Sequence, residues 1–338
     1  MKLHRTFVGL GIVAGLSGTA LANLNVLTTT PDLASIVKEV GKDKVSVSAI
    51  VVGARDPHRI EAKPSYMSRA AQAHLWVSIG LDLEIAYERP IIDGSRNPRI
   101  RPGTKGYVNA ANWVKVLEIP ASVSRAEGDV HPGGNPHVWL DPFNGRIIAQ
   151  RLAERMGELD PPQAATYRAN AVAFVRRIDD AMFGKALVGK HGGDALWAWE
   201  NGGWLIQELT SRGELASLSG WEGAMRPFRG APVITYHKSW PYFVARFGLK
   251  VIDYLEPKPG LDPTPGHVAH VIEEVKASGV KLILQEPIYS TRNANFVASR
   301  TSAKVVVVPG NVGHTSDAKD YISLFDSIIK RITEALSR

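Results

Sequence analysis

No cysteine occurs among the 338 residues. That single absence excludes disulfide scaffolds, thiolate zinc sites, iron–sulfur clusters and cysteine nucleophiles. It also excludes a lipid anchor on an N-terminal cysteine. Long apolar runs are missing as well: the stretch from Phe7 to Leu16 is shorter than the ~20 residues of a membrane-spanning helix. No long block of like charge interrupts the chain, and the formal charge is only +7. A nucleic-acid surface needs a basic stripe with aromatic platforms. The basic residues Arg96, Arg99, Arg101 and Lys105 instead lie among Gly and Pro and read as a solvated loop, so no nucleic-acid partner is expected. What is present is an ordinary folded composition, 44% hydrophobic and 22% charged with a mean hydropathy near zero. The length suits two hydrophobic cores.

Residues 1–22 read as an export signal. Lys2, His4 and Arg5 form a positive start, a short apolar stretch follows, and Ala20-Leu21-Ala22 has the small-x-small pattern of a cleavage site. Cleavage after Ala22 takes the charge from +7 to +5 and places the mature chain in the periplasm. Without a lipid anchor it is expected to diffuse freely there.

From Asn25 onward short β-rich runs alternate with helical periodicity. Asn25–Thr28, Val45–Val52 and Leu75–Ile79 read as strands, with helices over Pro31–Val40 and Ser65–Ala73 between them. Such strand–helix–strand units predict a parallel sheet with helices on its faces. In the middle, Asp141-Pro142 is a capped helix start leading to Leu159. Asp160-Pro161 repeats the signal and opens an amphipathic stretch to about Leu187, roughly 40 Å of helix. With no neighbour of similar length evident, it reads as a lone spine between lobes. The second half resumes the alternation, with strands at Pro232–Tyr236, Val251–Leu255, Val280–Gln285 and Val305–Val308, and a closing helix Tyr321–Leu336. The expected fold is therefore α/β, two Rossmann-like lobes joined by one long spine helix: 23–160, a connecting helix 161–187, and 188–338. Residues 190–230, rich in Gly and Trp, read as a packed subdomain on the second lobe.

Ten histidines are present, and those at strand ends matter most, because open α/β sheets bind ligands beyond the carboxyl ends of their strands. His58 follows the second strand in Arg55-Asp56-Pro57-His58. His137 lies in Asn135-Pro136-His137-Val138-Trp139-Leu140-Asp141-Pro142. His237 ends a strand in Thr235-Tyr236-His237-Lys238-Ser239-Trp240. Two of the three follow a proline, whose fixed φ holds the imidazole before any ion arrives. Neutral imidazole is a common ligand of first-row metals, and three or four such groups make a site.

These motifs resemble the periplasmic zinc/manganese-binding proteins of metal ABC importers. Pro64-Ser65, Tyr242-Phe243, Phe247-Gly248-Leu249, Glu256-Pro257 and Gln285-Glu286-Pro287 add to the likeness, in order and over nearly the whole mature chain. The resemblance implies two lobes around one metal ion, with His58, His137 and His237 as ligands. At the third position the family carries His or Glu, and three imidazoles lean to Zn²⁺ over Mn²⁺. The family's fourth ligand is an Asp after the last strand, where this chain has Val308-Pro309-Gly310-Asn311-Val312. Glu286, His314, Asp317 or water are the replacements, and the strand-end position favours Glu286. Where zinc-importing relatives carry a long His-rich capture loop, this chain has a short segment with His131.

The resulting expectation is a monomeric binding protein that captures a divalent metal, zinc first, between two lobes and delivers it to the permease of an ABC importer. The alternative is an exported zinc hydrolase with three histidines, a metal-bound water and Glu286 as base. Neither a His-Glu-x-x-His helix nor a Gly-x-Ser-x-Gly elbow is present to support it. His267 and His270, three apart on a helix, read as a solvated face, and His74 as a packed or capping group.

Overall fold

The computed structural model describes residues 23–121, 131–258 and 260–337. The expected signal at 1–22 lies outside the described residues. The first sheet contains β1 (Leu24–Thr28), β2 (Val45–Ala49), β3 (Leu75–Ser78) and β4 (Tyr107–Asn109). The second contains β5 (Pro232–Thr235), β6 (Lys250–Tyr254), β7 (Leu282–Gln285) and β8 (Lys304–Val307). Their orders are β2-β1-β3-β4 and β6-β5-β7-β8, parallel throughout, so the two lobes repeat one topology.

Strand alternation builds three cores. Val26, Leu75 and Val77 face one way; Leu27 and Trp76 face the other. In the second sheet Val233, Leu282 and Leu284 oppose Ile234 and Ile283. The outer faces are covered by α2 (Pro64–Ala71) and α3 (Glu88–Ser95) on one lobe and by α11 (Pro265–Ser278) and α12 (Arg292–Ser299) on the other. The inner faces of both sheets share one continuous core with α1 (Pro31–Gly41), α4 (Pro142–Leu159), α5 (Ala164–Phe183) and α13 (Tyr321–Leu336). Burial across that shared core is what sets one lobe against the other.

Helix α5 is the predicted spine, but it is neither as long nor as solitary as its periodicity indicates. It stops at Phe183, where Gly184 takes φ 88°, and restarts as α6 (Lys185–His191). Helix α4 folds back along it through the turn 161–163. The two share apolar residues such as Leu152, Met156, Tyr167 and Phe174 in the central core. Four short helices fill the Gly- and Trp-rich region: α6, α7 (Gly193–Gly202), α8 (Leu205–Ser211) and α9 (Gly220–Met225), with α10 (Pro241–Phe247) beyond β5.

Polar clasps join the lobes. Asp32, at the start of α1, accepts from the side-chain amide of Asn311 at 2.6 Å and from Val312 N at 2.9 Å. Trp139 Nε1 donates to Gly310 O, and Tyr321 OH donates to Trp139 O. Arg246 grips Asp141 through two nitrogens at 2.8–2.9 Å.

Candidate metal centre

The loops at the carboxyl ends of the strands bring His58, His137 and His237 together. One ligand nitrogen from each lies within 4.8 Å of the others, and among the described residues this is the one group of three His or acidic side chains so placed. The ring centroids are 5.3–5.6 Å apart. His137 and His237 are buried and His58 half-buried. Zinc at about 2.0–2.1 Å from each nitrogen needs them roughly 3.4 Å apart, so small inward shifts suffice.

Each imidazole is aimed by a partner on Nδ1. Asp56 Oδ1 accepts from both the backbone N and Nδ1 of His58 at 2.9 Å. Asn135 Oδ1 does the same for His137, at 3.0 and 2.9 Å. The X-Pro-His spacing explains the match: an Asx two residues upstream closes a turn onto the following N–H and ring at once. Glu256 takes the third ring, His237, through its Oε2. Each Nδ1 thus faces an acceptor and carries a proton, which leaves Nε2 as the nitrogen able to offer a lone pair once the ring is neutral.

Charge differs between the three. Burial pushes His137 well below the usual histidine range, and the neighbouring rings of His58 and His237 push further in the same direction. Burial would also lower His237, but the carboxylates of Glu256, Glu286 and Asp56 outweigh it and hold the ring above its ordinary value. Asp56 stays below the usual carboxylate range because its bond and attraction to His58 outweigh the effect of burial.

Glu286 follows β7 and lines the same small cavity as His58 and His137, about 10 Å³, room for roughly one water-sized sphere. Only 2% of the residue is exposed, and neither carboxylate oxygen makes a well-formed hydrogen bond. Burial raises its pKa to about 7, against the weaker opposing pull of the nearby Ser239 and Trp240 side chains and of His237. A buried carboxylate so poorly satisfied is costly unless a cation or proton meets it.

The other candidates for a fourth donor fare differently. His314 also lines the cavity, but its Nδ1 accepts from Gly310 N at 3.3 Å. Burial drops its pKa to about 4, so the ring is neutral with its proton on Nε2, where no lone pair remains. Asp317 is held by Arg331 and Ser327 at 2.8–3.0 Å and does not line the cavity. Asn311, at the place where the resemblance leads one to expect an aspartate, turns its amide to Asp32.

Histidines outside the triad fall out as follows. The His131 ring lies 5.3 Å from that of His58, at the edge of the group. His74 Nδ1 accepts from Asn25 N, and His267 Nε2 meets Tyr254 O, away from the site. His270 is exposed beside Asp253. The residues whose roles the motifs alone did not reveal are Asp56, Asn135 and Glu256. The Asx-Pro-His spacing is a readable signal for the first two; Glu256 stands out only as part of the Glu256-Pro257 motif, which carries no hint of its partner.

The chain matches the family model described as zinc-uptake complex component A, periplasmic, over residues 26–182 and 214–335. It is 22% identical to the high-affinity zinc uptake system protein ZnuA of Brucella suis, over 100% of this chain and 99% of that one. It is 28% identical to a manganese ABC transporter substrate-binding lipoprotein of Streptococcus gordonii over 51% of this chain and 54% of that one. Among solved structures, a crystal structure of ZnuA superposes with a TM-score of 0.69 at 21% identity, covering 93% of this chain and 99% of that one. A laminin-binding adhesin from Streptococcus agalactiae has a TM-score of 0.68 at 21% identity, covering 93% and 100%. These structural likenesses establish the two-lobed fold.

Proposed function

This chain belongs to the ZnuA family of periplasmic zinc-uptake components, and from that premise we propose that it captures one zinc ion between its lobes for delivery to an ABC permease. His58, His137 and His237 bind the ion through Nε2, and Glu286 completes a tetrahedral shell. Its export signal is residues 1–22, with cleavage after Ala22. Both lobes contribute donors from a single chain, so a monomer suffices.

The observation that carries the reading is the convergence of three imidazoles whose Nδ1 protons are all committed elsewhere. Three neutral nitrogens and one carboxylate suit zinc better than manganese, which favours oxygen donors. Manganese-binding relatives exist in the same group, so the donor set supplies the argument for zinc. In this reading the buried carboxylate that a hydrolase would use as base is spent as a ligand, which speaks for binding over hydrolysis.

Elemental analysis of the purified mature protein tests this directly. One equivalent of zinc per chain is expected, lost in His58→Ala, His137→Ala or His237→Ala and retained in His267→Ala. Retention of full zinc by all three triad variants, or turnover of ester or peptide substrates by the wild type, would overturn it.

A further inference from the structure

Asn135 does more than aim His137. Its Nδ2 donates to Glu118 Oε2 at 3.0 Å and to Lys238 O at 2.7 Å, the carbonyl next to the second lobe's His237. Its backbone N donates to Leu117 O at 2.9 Å, and its backbone O accepts from Tyr242 OH at 2.7 Å. Tyr242 OH in turn accepts from Leu117 N. One side chain, 7% exposed, thus touches both histidine loops and ties each to the segment 117–118.

The local backbone is shaped for this joint. Gly134 takes φ 110°, and a Cβ there would sit 2.8 Å from Leu117 O. Glu118 itself holds a left-handed φ of 52°, a strained conformation for a non-glycine residue. From this turn the Glu118 carboxylate meets the Asn135 amide.

We infer that Asn135 is a positioning residue of the metal site: its amide bridges the lobes and sets the separation of His137 and His237. The inference rests on the triad being the metal site. Only an amide meets the requirement, since it must accept from His137 with its oxygen and donate to two acceptors with its nitrogen. Aspartate keeps the first role, loses the second, and faces Glu118 with like charge. Alanine loses both.

The test uses the full mature chain, loaded with Zn²⁺ for affinity by chelator competition and with Co²⁺ for its d–d absorption spectrum, which reports ligand geometry. Asn135→Ala and Asn135→Asp are expected to weaken zinc binding about 10–100-fold, as loss of an outer-shell partner does, and to alter the Co²⁺ bands. Adding Glu118→Gln to Asn135→Asp removes the like charge and restores a donor between the two side chains, so it should recover part of the affinity. Tyr242→Phe, which cuts only the bond to the Asn135 carbonyl and its link to Leu117, should move both readouts the same way by less. Wild-type affinity and an unchanged Co²⁺ spectrum in Asn135→Ala and Asn135→Asp would overturn the positioning role. So would an altered affinity that Glu118→Gln leaves unrecovered. A wild-type chain that binds neither ion would overturn the metal site and this inference with it, so the two failures are distinguishable.

Discussion

The carboxylate of Glu256 lies against Nδ1 of His237, although the two stand nineteen residues apart. Parallel pairing creates the contact. Leu255 N donates to Thr235 O and Glu256 N to Tyr236 O, both at 2.8 Å, so the ends of β5 and β6 emerge side by side. The other oxygen of Glu256 accepts from Gly260 N at 2.9 Å, while the Arg59 guanidinium reaches Gly260 O from the first lobe. Glu256 therefore anchors the His237 ring, the backbone at Gly260 and, through it, an inter-lobe contact together.

Glu256→Gln keeps one acceptor and removes the charge. Metal affinity at pH 8 should fall about 10–100-fold, the usual effect of disturbing a ligand's second partner. The proton affinity of His237 should fall too, because the carboxylate opposes the effect of burial on that ring. The acid limb of metal binding should therefore move to lower pH even as the plateau weakens. Chelator competition between pH 5 and 8.5 measures both; an unmoved acid limb would show that Glu256 does not set the charge of His237.

Acid should release the ion early. Glu286 titrates near 7 because it is buried, and His237 holds its proton above the ordinary histidine range. Both must be deprotonated to bind, so protons compete at two donors. Affinity should be flat above about pH 8 and fall below pH 7, approaching a hundredfold per pH unit where both groups are protonated. An affinity unchanged down to pH 6 would exclude both groups from the shell.

Glu286→Gln separates the two candidate donors of the cavity. If the carboxylate closes the shell, zinc affinity falls sharply and the remaining pH dependence loses one proton, while His314→Ala leaves the Co²⁺ spectrum tetrahedral. The reverse pattern would make His314 the ligand, against its acceptor bond from Gly310.

The convergence of His58, His137 and His237 was legible because His58 and His237 follow strand ends, His137 stands just ahead of a capped helix, and two of them sit behind Pro in an Asx turn, all local signals. Helix α4 was legible for the same reason: Asp141 Oδ1 accepts from Phe143 N and proline fills the first turn. Glu256 was not, since its role depends on the register of β5 with β6. Strand β4 escaped because only three residues, Tyr107–Asn109, pair with β3. The helices from 185 to 225 escaped because Gly184, Gly192, Gly203 and Gly213 all take positive φ and break the period before it repeats. The Arg96–Lys105 segment is as solvated as its composition indicates, with all four basic side chains exposed.

The clasp between lobes should be visible in stability rather than in metal content. Asp32 is fully buried on α1 and accepts two bonds from Asn311 and Val312, while Ser35, one turn on, accepts from Tyr321 N at 2.9 Å. Burial raises the Asp32 pKa from 3.8 to about 7, with the Asn311 and Val312 bonds opposing the rise. A carboxyl whose folded pKa is raised favours the folded state most when protonated. Its contribution is full below about pH 4 and declines as pH rises through 7. Asp32→Ala strands both donors in the interior, a loss of about 2–4 kcal/mol. The loss, read from urea unfolding of the metal-free chain, should be larger at pH 5 than at pH 8, because the wild-type carboxyl has already become unfavourable at pH 8. A change within about 0.5 kcal/mol at both values, the range of an ordinary surface substitution, would mean that the shared core alone holds the two lobes in place.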